Sequence, residues 1–157
     1  MYDPLLVALD GSDAAEQVLS HAEALAGAFG SRITLLRAIS SAAMLLTQST
    51  GGGPGLGEVA PAMDPTPILE AEQAAAAEYL RHVAERLQSQ GLSVNTETPQ
   101  GEAESVIVER ARELGAALIV MTTHGRGGLG RVVFGSVADS VLRHAPCPVL
   151  LVRIQES

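Results

Sequence analysis

The segment Met-Thr-Thr-His-Gly-Arg-Gly-Gly-Leu-Gly-Arg-Val-Val-Phe-Gly-Ser, residues 121–136, holds the densest set of groups able to bind an anion. Its glycines allow close backbone approach to a phosphate and supply positive φ where a turn requires it. It ends in Gly135-Ser136 ahead of a run of helical period. N–H groups at such a helix start carry about half a positive charge and would point at the same place as the Ser136 hydroxyl. His124 reads either as a contact to phosphate or as loop structure. Arg126 and Arg131 read either as phosphate contacts or as solvated cations. A glycine-rich turn can also serve packing alone. The other candidate is Asp10, which ends the apolar run Leu5–Leu9. Asp-Gly-Ser-Asp is also good turn chemistry, so Asp10 reads either as a ligand or as a turn former.

Other chemistries fall on composition. All ten basic residues are Arg and there is no lysine. A Walker-A loop requires its lysine on the phosphates, and Schiff-base or pyridoxal chemistry requires one too. A receiver-type phosphoacceptor site, which normally sets a lysine beside its aspartates, is disfavoured for the same reason. Gly135-Ser136 does not form a nucleophile elbow, because residue 138 is Ala. Asp139, one turn on, can orient Ser136 but supplies no general base. No carboxylate pair has metal-binding spacing, and His21, His82 and His144 fall on helices as surface residues. Cys147 is the single cysteine. It reads as a small buried hydrophobe rather than a reactive thiol, and it excludes an internal disulfide. No catalytic residue is assigned, and any phosphate hydrolysis would be slow and incidental.

Residues that hold an anion need a frame, and the apolar pattern supplies one. Strand-length aliphatic runs occur at Leu5–Leu9, Ile33–Ile39 (interrupted by Thr34 and Arg37), Ala116–Met121 and Val149–Val152, with a weaker edge strand from Leu92 to Thr98. Helical periodicity spans Ser12 to about Gly30, Pro67 to about Gln90, Glu102 to Leu114 and Ser136 to about His144. In the second of these helices Ile68, Leu69, Ala75, Ala76, Tyr79, Leu80, Val83 and Leu87 are expected inward. Strand–helix alternation of this kind implies an α/β domain with a parallel sheet and right-handed crossovers. The connection 40–66, rich in glycine and proline, is expected to be a mobile insertion: a variable surface loop, or alternatively a lid or partner-binding loop.

The chain of 157 residues carries a net charge of −8, and 46% of it is hydrophobic with no tryptophan. Such a chain builds one domain with an aliphatic core. The acidic balance argues against nucleic acid or an anionic membrane surface as partner. No apolar run approaches the roughly 18 residues of a membrane helix. The opening residues lack the basic start of a signal peptide, so a cytoplasmic location is expected.

The segment MTTHGRGGLGRVVFGSVADSVLRHAPCPVLLVR and the opening LLVALDGSDAAEQVL are similar to the corresponding parts of the universal stress protein family. The resemblance runs over essentially all of residues 1–157 apart from the insertion. The signature of ATP-binding members is G-x2-G-x9-G-[ST]. Gly125 and Gly135-Ser136 match its last two elements, and Thr122 stands at the first glycine. There the Thr122 side chain either crowds the backbone approach or donates a hydrogen bond.

The resemblance implies a single open, doubly wound, parallel five-stranded sheet of order 3-2-1-4-5, with helices on both faces. It further implies a cytoplasmic stress-response protein that binds ATP, with Mg²⁺ held through the phosphates, as a nucleotide-dependent switch or interaction module. The alternative is a nucleotide-free dimeric interaction protein of the same fold, and weak ATPase activity is a third reading. Carried over by position, the nucleotide-binding residues are Asp10, Ala38, Met121, Thr122, His124, Gly125, Gly135, Ser136 and Val137, with Arg126 added from the loop chemistry. The resemblance also implies a homodimer paired through the last strand, Pro148–Arg153.

Overall fold

The computed structural model describes residues 1–49, 64–123 and 135–155. Five short strands form one parallel sheet: β1 (Leu5–Ala8), β2 (Ile33–Leu36), β3 (Val94–Glu97), β4 (Leu118–Thr122) and β5 (Val149–Val152), in the order β3-β2-β1-β4-β5. This is the sheet expected from the sequence, with the chain moving outward from β1 in one direction and from β4 in the other. The helices are α1 (Val18–Phe29), α2 (Ala42–Ser49), α3 (Thr66–Gln88), α4 (Ala103–Leu114) and α5 (Ser136–His144).

Side-chain alternation along the strands divides the core in two. Leu5, Val7 and Leu9, with Leu118 and Val120, meet Val18, Leu19 and Ala22 of α1 and Leu80, Val83 and Leu87 of α3. Leu6, Ile119 and Met121 lie in the other cluster, with Val106, Ile107 and Ala111 of α4 and Ala138 and Val141 of α5. Covering both faces is what makes β1 and β4 read as unbroken aliphatic runs. The crossovers stop on glycine: Gly30 and Gly115 take left-handed conformations (φ 65° and 61°) as the C-caps of α1 and α4.

The structure refines the expected elements in several places. The helix expected from Ser12 begins instead as a 3-10 turn over Ala15–Gln17, with α1 following at Val18. β2 ends at Leu36, and Ile39 makes only an isolated bridge to Gln100. Ile68 and Ala75, expected inward, are exposed: the buried stripe of α3 begins at Ala76 and runs through Leu80, Val83 and Leu87, and Ala75 lies off it. Within 40–66, where no element was expected, Ala42–Ser49 forms α2. Ser41 starts it: its Oγ accepts from the Met44 N–H at 3.3 Å and its carbonyl from Leu45 at 3.1 Å. The glycine-rich part, 50–63, lies outside the described residues. Among the described residues no helix is long and apolar enough to cross a membrane.

Burial along α3 predicts a sharp energetic contrast. Leu80 is 0% exposed and Ile68 is 47% exposed. Leu80→Ala should cost about 2–5 kcal/mol of unfolding free energy through lost burial and a cavity. Ile68→Ala should stay within about 0.5 kcal/mol. Urea denaturation of the two variants measures both, and equal losses would contradict this packing.

Candidate nucleotide site at the sheet switch point

β1 and β4 are neighbours, yet their following segments leave to opposite sides, so a crevice opens at their carboxyl ends. The parallel register places residues around it. Ala8 pairs with Leu36 and Val7 with Val120. Carried on by two and three residues, this sets Asp10 level with Ala38 and Thr123. The start of α5 is pinned at the same edge, because the Gly135 N–H donates to the Thr123 carbonyl at 2.8 Å. Thr123 in turn donates its N–H to the Val152 carbonyl at 3.1 Å. Residues twelve positions apart in sequence are thus held together by one backbone hydrogen bond.

Asp10 uses its two carboxylate oxygens differently. Oδ1 accepts from the Ser12 N–H at 2.9 Å and from the Ser12 hydroxyl at 2.6 Å. The Ser12 Oγ then accepts from the Ala15 N–H at 3.1 Å and so caps the 3-10 turn. Oδ2 is buried and, among the described residues, has no hydrogen-bond partner. Leaving a buried acceptor unpaired costs about 1–3 kcal/mol, more for a charged group. Oδ1 thus builds the turn, which is the turn-former reading of Asp10.

The other described candidates fall around the same edge. Ala38, Met121 and Val137 all belong to the apolar cluster on the α4/α5 side. Thr122 closes β4 opposite Val152 and is 7% exposed. Strand alternation puts its side chain on the face of Leu118 and Val120, away from Met121. Gly135 is the N-cap of α5 and offers no side-chain cap to the first turn, where Ser136 is exposed. His124, Gly125 and Arg126 lie outside the described residues. Elsewhere, His21, His82 and His144 are exposed, as expected. Cys147 is half-buried rather than buried, and burial raises its thiol pKa, which keeps it in the unreactive protonated form.

Two residues with no assigned role stand beside Asp10. Arg37 follows β2, and its guanidinium carbon lies 5.3 Å from the centroid of the Tyr79 ring of α3. The Tyr79 hydroxyl is buried and, among the described residues, has no hydrogen-bond partner. Burial, reinforced by the Glu16 carboxylate, lifts its pKa far above the ordinary tyrosine range. The only signal in the sequence was a charge at position 37 interrupting an aliphatic run. In an alkaline spectrophotometric titration Tyr79 should ionise late, and Tyr79→Phe should delete that late step. Its stabilising contribution is complete below the ordinary tyrosine pKa of about 10 and falls as pH rises beyond it, because the unfolded chain releases its proton first. Ionisation of Tyr79 near that value would contradict the burial of this hydroxyl.

Comparison with known proteins agrees with this architecture. The model of the universal stress protein family matches residues 1–153. A universal stress protein of Methanocaldococcus jannaschii is 29% identical over 153 residues, covering 98% of this chain and 83% of that protein. One from Synechocystis is 30% identical over 154 residues, covering 97% and 98%. Among solved structures, the universal stress protein UspA of Lactobacillus plantarum superposes with a TM-score of 0.77 at 26% identity, covering 97% of this chain and 98% of that one. The Archaeoglobus fulgidus universal stress protein in complex with dAMP gives a TM-score of 0.62 at 25% identity, with 98% of each chain covered. A match over nearly the whole chain, on a sheet of the same strand order as the sequence resemblance implied, establishes that this chain belongs to the universal stress protein family.

Proposed function

We propose that this protein binds ATP at the switch point of its sheet and serves as a nucleotide-dependent switch or interaction module in a stress response. The observation that carries the proposal is Oδ2 of Asp10, buried and without a partner among the described residues, at the sheet edge where β1 and β4 end. A carboxylate oxygen in that position calls for a ligand with hydroxyl or amino donors, and a nucleoside has both. The first turn of α5, held beside it through Gly135 and Thr123, offers N–H groups to phosphate. Ala38, Met121 and Val137 would give apolar contact to the base. Gly135 and Ser136 would hold phosphates, joined through the signature spacing by His124, Gly125 and Arg126. Among the described residues no three His, Cys, Asp or Glu side chains converge on a metal position. Mg²⁺ therefore enters this reading with the phosphates. Complexes of relatives with dAMP and with cAMP support nucleotide as the ligand class.

A nucleotide-free interaction protein is the second reading, and Thr122, buried where the signature has glycine, favours it. If only a methyl group must move aside, the penalty is about 1 kcal/mol, roughly fivefold in affinity. Both readings take the chain as one domain that dimerises through Pro148–Arg153. β5 has β4 on one side only, and its Val149, Leu150 and Leu151 are half-buried, an apolar edge of the kind soluble monomers cover.

Calorimetric titration with ATP, ADP and AMP in the presence of Mg²⁺ tests the main reading. Wild type should bind ATP, and Gly135→Val should abolish binding by blocking the phosphate approach. Asp10→Ala should weaken it at least about tenfold, the equivalent of one lost charged hydrogen bond. Thr122→Gly should bind as well or tighter. Marked weakening there would make the Thr122 hydroxyl a ligand instead. Failure of both wild type and Thr122→Gly to bind at millimolar ATP would leave the nucleotide-free reading in its place.

A further inference from the structure

Arg37 has an unusual setting for a cation. Among the described residues no carboxylate lies within ion-pair distance of it, as is also true of Arg112 and Arg153, whereas Arg32, Arg81, Arg86, Arg110 and Arg143 each hold one. Its neighbours are instead a backbone and a ring. Gly11, at φ +83°, is the centre of the turn that carries Asp10 and Ser12. A Cβ added to Gly11 would stand 2.7 Å from Arg37 Cζ, 2.7 Å from Nη1 and 3.0 Å from Nη2. An approach in the guanidinium plane, between the two terminal nitrogens, would leave Cζ clearly the farthest atom. Near-equal distances mean that the turn rests on the flat face of the guanidinium. The same group lies over the Tyr79 ring at 5.3 Å, within the range of a cation–π contact. Tyr79 also stands by Glu16, whose carboxylate is paired with Arg86 of α3 at 3.0 Å.

We infer that Arg37, held by Tyr79, is a positioning residue for Asp10: a flat support under the Asp10-Gly11-Ser12 turn that keeps Oδ2 aimed into the crevice. This rests on the ligand role given to Oδ2 above. The positive φ at position 11 favours glycine, and a Cβ there would displace the guanidinium from beneath the turn. The support also makes α3 part of the site, although no residue of α3 was assigned to nucleotide.

The test compares ATP with 2′,3′-dideoxy-ATP, which keeps the base and phosphates but lacks the hydroxyl donors available to Asp10. Arg37→Met keeps the length of the side chain and removes its plane and charge. It should weaken ATP about tenfold, the scale of one cation–π support, and leave the dideoxy analogue within about twofold. Tyr79→Leu should do the same, while Tyr79→Phe, which keeps the ring, should match wild type. Arg37→Lys, which restores charge without the plane, should recover only part of the loss. Equal weakening of both nucleotides, or of neither, overturns the inference. If wild type binds neither nucleotide, the functional reading fails, and the support is then read without ligand by amide exchange. The Ser12 and Ala15 amides, bonded to Asp10 Oδ1 and Ser12 Oγ, should exchange at least about tenfold faster in Arg37→Met, while the Val120 amide is unchanged. Unaltered exchange at Ser12 and Ala15 overturns the inference in that case.

Discussion

The pairing of β1 with β4 at the centre of the sheet is the constraint on which the candidate site depends. Leu5, Leu6 and Val7 lie beside Leu118, Ile119 and Val120, so two strand ends separated by more than a hundred residues of chain finish at one level. The segments that follow must diverge, because β2 occupies the outer side of β1 and β5 the outer side of β4. Divergence leaves a gap in which the start of α5 faces the turn after β1. The aliphatic character of both strands, completely buried from Leu5 to Val7 and at Ile119 and Val120, keeps that pairing in register. A slip of one residue would turn Val7 and Val120 from one core cluster into the other.

The edge of this sheet is less satisfied than its middle. In the core, ladder hydrogen bonds and apolar contact meet every demand of the strands. Past Leu9 the chain relies on side chains instead: Asp10 accepts from Ser12, and the Ser12 hydroxyl accepts from the Ala15 N–H that opens the 3-10 turn. That arrangement consumes one carboxylate oxygen and strands the other. Strain of this kind is tolerated where the surrounding structure over-determines the conformation. Here the over-determination comes from the fully buried strand on one side and from the Arg37 face on the other.

Much of this protein was written in local pattern. The aliphatic runs of β1, β4 and β5 and the periodicity of α1, α3, α4 and α5 determine the elements, because burial on two faces and on one face leave different spacings. Gly30 and Gly115 marked helix ends through the same backbone chemistry they show in the fold. Asp10, Gly135 and Ser136 could be singled out because residues of their type are scarce at such junctions except for turns, caps or ligands. α2 escaped notice because glycine and proline further along the same connection outweighed the short Ser41-capped run.

Tertiary structure alone decided the rest, since it concerns which distant residues share a level. The local Asp-Gly-Ser-Asp pattern pointed to the turn that Oδ1 makes with Ser12, but not to the burial of Oδ2 without a partner among the described residues. The same holds for Arg37, a lone interruption of an apolar run in sequence, which becomes a support only when β2 ends beside Gly11 and α3 brings Tyr79 across it. Periodicity placed Ile68 inward, yet in the fold the buried stripe of α3 begins only at Ala76. Sequence determines the elements because each is stabilised by contacts repeating every few residues. The site depends on the sheet order and register, which are set by pairings between segments far apart in the chain.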